Sequence, residues 1–325
     1  MDPNLFHQIH SRRRFLDRCA AGLGTIALSQ LMAAEGRGPA APRSHFPAKA
    51  RNVIFLFMDG GPSHLDLYDP KPAMKKYEGQ ALPESMTKNL RLAFIKPTAK
   101  VVASPRSFAP GGQSGTPLSD CMPHLATRVD DICLIRSMFT DQFNHHPGQL
   151  MLNCGSPLAG RPSMGAWVNY GLGSESQSLP GFVVMRSGSN APGAGTGNWT
   201  SGFLPSSFQG VPLRGVGDPV LYLSNPHGVN GEMQKATLDA LRDVNQMNQA
   251  ETGDLEIASR VASYELAFRM QQSAPELMDI SKEPAHILEL YGVDAGRKNP
   301  YARHCLLARR LVERGVRFVQ LMHGN

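Results

Sequence analysis

Asp59, Ser63, His64 and Asp66 lie close together in the stretch MDGGPSHLD. A carboxylate and an imidazole side by side suit a hard or borderline divalent metal. A second cluster holds the same residue types: His145 and His146 follow Asp141 and Asn144. Two adjacent histidines at a loop or helix start point in different directions, so one could ligate a metal while the other supports it from behind. Ser63 and Thr140 carry hydroxyls that could serve as nucleophiles, although the sequence places no base beside either. Each cluster also has a plainer reading, in which Asp59 caps the segment after it and the histidines are structural.

The elements that must position these groups can be read from the apolar pattern. Val53 to Met58 is a run of six apolar residues, short enough for a strand and continuous enough for one buried on both faces. Asp59, Gly60, Gly61 and Pro62 stop it and force a turn. The pattern predicts a helix from Ser119 to Val129, with Ser119 as N-cap and Asp120 in the first turn, and then a strand over Ile132 to Ile135. Gln149 to Cys154 reads as a short apolar turn, Met164 to Leu172 as a helix with Trp167 inward, and Gly181 to Met185 as a third strand. Val220 to Leu223 is a further short strand. A helical hairpin over 231–278 breaks near Gly253, and a helix over 301–314 leads into the strand Arg317 to Met322. Strand, helix, strand in this order favours a parallel sheet, in which ligands collect beyond the carboxyl ends of the strands. Asp59 and His145 fall at that edge. Because the last strand delivers the chain there with nothing after it, the domain reads as incomplete.

With 41% hydrophobic residues in 325, the chain can bury a sizeable core. Its net charge of +6 falls to about +4 without residues 1–34, which hold four Arg and two Asp. That is too diffuse to argue for a nucleic-acid partner. The mean hydropathy of −0.26 predicts a soluble globular chain. Glycine and proline concentrate between residues 105 and 230, as in long ordered loops. In the glycine-rich segment 187–219, Trp199, Phe203 and Phe208 could wall a substrate cleft or pin the loop to the domain. No Gly-Lys-Ser/Thr phosphate loop is present. The five cysteines include no C-x-x-C pair, so buried thiols are expected, with a Cys121–Cys133 disulfide as the alternative.

The start of the chain, Ser11-Arg12-Arg13-Arg14-Phe15-Leu16 followed by an uncharged Ala/Gly/Leu stretch, resembles a twin-arginine export signal. It is too short for a stable membrane span. Residues 1–34 read as the signal, 35–50 as a linker, and 51–325 as one α/β domain. The implied localisation is periplasmic or extracellular, and the implied partner is the twin-arginine export machinery.

Together with that start, VIFLFMDGGPSHLDLYDPKP, SMFTDQFNHHPGQLMLNCG, SGFLPSSFQGVPL and RGVRFVQLMHGN resemble the domain-of-unknown-function 1501 family, which looks like a member of the alkaline phosphatase and sulfatase superfamily. The resemblance implies a central, mostly parallel sheet with flanking helices and divalent metal at the strands' carboxyl ends. Asp59 matches the superfamily's metal-binding Asp. In the sulfatase C/S-x-P-x-R stretch, His145 falls at the nucleophile, Pro147 at the proline and Gln149 at the arginine. A histidine there cannot become formylglycine.

The implied activity is hydrolysis of phosphate or sulfate esters, at least by ancestry, on a small molecule or polysaccharide. Asp59, His145 and His146 would hold metal, and His64 and His145 would act in catalysis. The metal would be magnesium, calcium or manganese if oxygen donors dominate, zinc if the histidines do. The competing reading is an exported binding or scaffold protein, or an inactive fragment, that kept the fold and lost the chemistry.

Overall fold

A computed structural model describes residues 46–88, 95, 96, 98–188, 193–215, 219, 220, 225, 227–293 and 300–324. The twin-arginine stretch and residues 221–223 of the expected strand lie outside them. Within the expected single domain the chain makes two compact units. One comprises the described residues up to Asp59 and those from Asn144 onward; the other is Gly60–Phe143.

In chain order the first unit opens with β1 (Val53–Met58). The second unit holds three single-turn helices, α1 (His64–Leu67), α2 (Met74–Tyr77) and α3 (Glu84–Thr87). An antiparallel hairpin of β2 (Phe108–Gly111) and β3 (Thr116–Ser119), the short α4 (Pro123–Ala126) and a 3-10 turn at Val129–Asp131 follow. The chain then returns to the first unit with α5 (His145–Cys154), α6 (Met164–Leu172), β4 (Phe182–Ser187) and β5 (Val211–Leu213). The remaining elements are α7 (Gly231–Thr252), α8 (Leu255–Met278), α9 (Ala285–Tyr291), α10 (Pro300–Glu313) and β6 (Phe318–His323).

The four described strands of the first unit form a parallel sheet in the order β1-β6-β4-β5, an α/β architecture as expected. Its two faces are built from alternating residues, since successive side chains on a strand point opposite ways. On one face Phe57, Phe182, Val184, Phe318 and Met322 pack with Trp199 and Val168 of α6. The rings of Phe182 and Phe318 meet edge to face, 5.2 Å between centroids. Burying each such ring contributes about 1.5–3 kcal/mol. On the other face Val183, Met185, Val319 and Leu321 lie under Leu277 and Met270 of α8 and Leu307 and Leu311 of α10. Gly315, at φ 85°, ends α10; a Cβ there would come within 2.9 Å of the Ser176 nitrogen, so the turn into β6 requires glycine.

Several sequence expectations need correction. Ile132 to Ile135 is not a strand: residues 132–135 have no ladder partner among the described residues, and Ile135 is exposed. A four-residue apolar run fits a strand only where neighbours exist to pair it. The helix expected from Ser119 begins only at Pro123, because proline has no N–H to bond back to the Ser119 carbonyl and is favoured at the first helical position. Gln149 to Cys154 is the body of α5 rather than a turn. Its helix starts at His145, tolerates Pro147 in the first turn, and ends at Gly155 in the left-handed region, φ 68°. The strand beside β4 is β5, with Pro212 at its centre, a residue that sheets admit at their edges. Cys121 and Cys133 are free and exposed, so neither the disulfide nor burial holds for them. Cys154 is buried, and burial pushes its thiol up to about 12.

The expected helix over 164–172 with Trp167 inward, the 231–278 hairpin broken at Gly253, the final helix and the last strand are all present. No helix among the described residues is long and apolar enough to cross a membrane.

Candidate functional site

Asp59 follows β1 directly, and its backbone N–H donates to the His323 carbonyl at the end of β6 (2.7 Å). It therefore stands at the carboxyl edge of the parallel sheet, where the sequence places it. One carboxylate oxygen, Oδ1, accepts a hydrogen bond from the Gln149 side-chain amide. Gln149 lies one turn into α5, so this bond ties the end of β1 to the helix that starts at the paired histidines.

His145 and His146 are the first two residues of α5, and both are exposed. Asn144 caps the helix by accepting from the His146 N–H (3.3 Å), which satisfies one of the donors a helix start leaves free. Of the loop and the helix start that the sequence leaves open for these histidines, the structure has the helix start. His64 belongs to the second unit, where it opens α1 and is exposed. Hydrogen bonds from Ser104, chiefly, and from Ser63 hold the Asp66 carboxyl below its ordinary value. Thr140 Oγ1 accepts from the Gln142 N–H (3.1 Å). Both hydroxyls are thus used in local turns.

Behind Asp59 runs a chain of buried amides. Gln149 Oε1 accepts from the Ala194 N–H (3.0 Å) and from Asn198 Nδ2 (3.4 Å). Asn198 Oδ1 accepts from Asn153 Nδ2 (3.2 Å), and Asn153 Oδ1 accepts from Gln320 Nε2 (2.8 Å). These four side chains are at most 4% exposed. A polar group at such depth is costly unless bonded, and here each is bonded at least twice. The sequence reading found Gln149 only through a family position and missed the other three. A usable signal existed in Gln320, a lone amide inside the apolar strand FVQLM, and in the i, i+4 pair Gln149 and Asn153.

A second polar group lies at the same edge. Ser187 Oγ and His323 Nδ1 are 2.9 Å apart at the ends of β4 and β6, and the Tyr301 ring of α10 packs on His323 in a tilted arrangement, 4.7 Å between centroids. Gly188 packs so closely on the Gly324 carbonyl that no Cβ fits between them, and its φ is +96°. On α10, His304 is buried; burial, then Arg303 and His323, push it down to about 4. Desolvation raises Tyr301 to about 12.

The glycine-rich segment is pinned by its aromatics. Trp199 is buried in the sheet core, Phe203 packs on Trp167 (5.7 Å) and Phe208 on Tyr170 (5.1 Å).

Among the described residues no three His, Cys, Asp or Glu side chains converge on one point. A zinc site draws three or four protein ligands from His, Cys, Asp and Glu, and no such set converges among the described residues. A magnesium-type ion asks less of the protein: one or two carboxylates, with water and the substrate's own oxygens completing its shell. A carboxylate at the strand edge, held from behind by hydrogen-bonded amides, fits that demand.

Fold and site together define an α/β protein with a supported carboxylate at the carboxyl edge of a parallel sheet. Residues 50–325 match the family described as "Protein of unknown function (DUF1501)", and the chain belongs to that family. No curated protein and no solved structure gives a significant match.

Proposed function

We propose that this is an exported, hydrolase-like protein acting on phosphate or sulfate esters, metal-dependent by ancestry and similar in plan to alkaline phosphatases and sulfatases. The observation that carries this reading is the placement of Asp59 at the carboxyl edge of β1, joined through Gln149 to the helix that begins His145-His146-Pro147. Asp59 would hold a divalent ion of the magnesium or manganese kind. When bound, such an ion polarises an ester oxygen and makes a nearby water more acidic.

The chain's own residues have separable tasks. Asp59 supplies negative charge, and Gln149 fixes its rotamer. His145 and His146, exposed at the positive end of α5, can hydrogen-bond the oxyanion of an ester and hand a proton to its leaving group. His64 remains a proposed proton donor that this placement neither adds to nor replaces. The twin-arginine start supports a periplasmic or extracellular setting and a partner in the twin-arginine export machinery.

The test is turnover of a panel of aryl phosphates and sulfates by the purified chain, with and without added magnesium or manganese. Metal-stimulated release that His145→Ala reduces at least about tenfold supports the reading. Failure on every ester, with retained binding of a sulfated polysaccharide, favours a binding protein that kept the fold and lost the chemistry. The exposed position of both histidines, with no carboxylate to orient either among the described residues, is what gives that second reading weight.

A further inference from the structure

We infer that Gln149, Asn198, Asn153 and Gln320 form a one-way amide relay that positions Asp59 as a single-oxygen ligand for a hard divalent cation. This rests on the ester-hydrolase reading and extends it to residues that touch no ligand.

The direction of the relay is set by groups with only one hydrogen-bonding role. A carboxylate such as that of Asp59 can only accept, so Gln149 must turn its NH2 toward it. The Ala194 backbone N–H can only donate, so Gln149 must turn its oxygen the other way. Asn198 donates to the Gly195 carbonyl (3.3 Å) as well as to Gln149. Asn153 donates to the Gln149 carbonyl (2.9 Å), which fixes its NH2 on that side and leaves its oxygen for Gln320. Every amide dipole in the series therefore has its positive end toward Asp59. Aligned hydrogen bonds polarise one another, most effectively where water is excluded.

The relay crosses from the centre of the sheet at β6, through α5, to the sheet edge. An all-apolar core would need none of these amides, and the one charged group they serve is Asp59. With Oδ1 accepting from Gln149, Oδ2 is the freer oxygen to meet a cation, which favours one-oxygen coordination. That geometry suits a small, strongly hydrated ion and disfavours calcium, which readily takes both oxygens of a carboxylate.

The experiment measures Mn2+ binding to the whole chain by electron paramagnetic resonance, with circular dichroism and thermal unfolding as checks on the fold. Three variants are compared with the wild type: Asp59→Asn, Gln149→Met and the exchange Asp59→Asn/Gln149→Glu. The exchange restores an amide–carboxylate pair, so a purely structural role for the relay would be satisfied by it. The expected result is binding by the wild type and loss in Asp59→Asn. Gln149→Met should weaken it at least about tenfold, as removal of groups that orient metal ligands does. The exchange variant should fold as the wild type does yet not bind. Undiminished binding in Gln149→Met, or wild-type binding in the exchange variant, overturns the positioning role and leaves the ester reading standing. Absence of Mn2+ binding in the wild type instead removes the metal reading, and this inference with it. Should Gln149→Met fail to fold, Gln320→Met, at the far end of the relay, gives the same comparison with one hydrogen bond to Asn153 lost.

Discussion

β1 and β6 are neighbours with nearly the same apolar pattern, and they live in different surroundings. In register, Leu56 of β1 stands opposite Leu321 of β6. Leu321 is 0% exposed, whereas Leu56 is 50% exposed. β6 has a strand on each side and helices on both faces, while β1 has one hydrogen-bonded neighbour among the described strands. Composition decides that both segments become strands. Position in the sheet decides how much each one stabilises it.

The difference extends to the residues at the strand ends. Asp59, after β1, faces the amide relay; His323, closing β6, turns to Ser187 and Tyr301. If the metal belongs to the β1 side, Asp59→Ala removes divalent-ion binding altogether, as read by metal content after gel filtration, while His323→Ala retains it. The reverse outcome would move the site to the other strand. Next in size is the leucine pair. Leu321→Ala should cost about 2–5 kcal/mol in denaturant unfolding, the usual range for a truncated core leucine. Leu56→Ala should cost less than about 1 kcal/mol. Equal costs would mean that the apolar face of β1 is covered in the protein as it exists in solution.

Acid sharpens the contrast from the helix that covers β6. His304 of α10 is held at about 4 in the folded chain against an ordinary 6.5, so the unfolded chain takes up its proton first. Its contribution is complete above pH 6.5, is lost as the pH falls from there toward 4, and changes no further below. The loss amounts to about 3 kcal/mol, and it should vanish from the pH–stability curve of His304→Leu. A smaller effect belongs to Glu283, which accepts from Arg309 (2.6 Å) and Arg310 (2.7 Å). The Arg309 hydrogen bond, chiefly, holds its carboxyl below the ordinary 4.5. Its contribution is present above pH 4.5 and is lost as the pH falls through the lowered value, so Glu283→Gln should flatten the acid end of the curve.

The sequence made the long, strongly patterned parts of this fold legible: β1, the α7–α8 hairpin, α10 and β6 all follow from their own periodicity. It misled where a short segment depends on neighbours. Ile132 to Ile135 has the composition of a strand and no ladder partner among the described residues, and β5 has a central proline yet pairs with β4. For the site, chemistry-bearing types were easy to find, since Asp59 and the two histidines stand out beside turn residues. The amides behind them were not, because Asn and Gln at the surface look the same in sequence as Asn and Gln in a core. Only burial distinguishes Asn153 and Asn198 from the many that bond water.

The hydrogen bonds that seat β1 join residues very far apart along the chain. Asn52 Nδ2 donates to the Val316 carbonyl (2.9 Å) across 264 residues, and the Val53 N–H donates to the Arg317 carbonyl (2.9 Å). Of the described strands, β1 leaves the ribosome first and waits longest for its partner. At ordinary rates of synthesis that wait is on the order of tens of seconds. Throughout it, six consecutive apolar residues have no ladder to join, and such a segment invites chaperones or aggregation. Any chain stopped before residue 318 would keep β1 waiting indefinitely, so the pairing of β1 with β6 doubles as a check that translation has run at least that far.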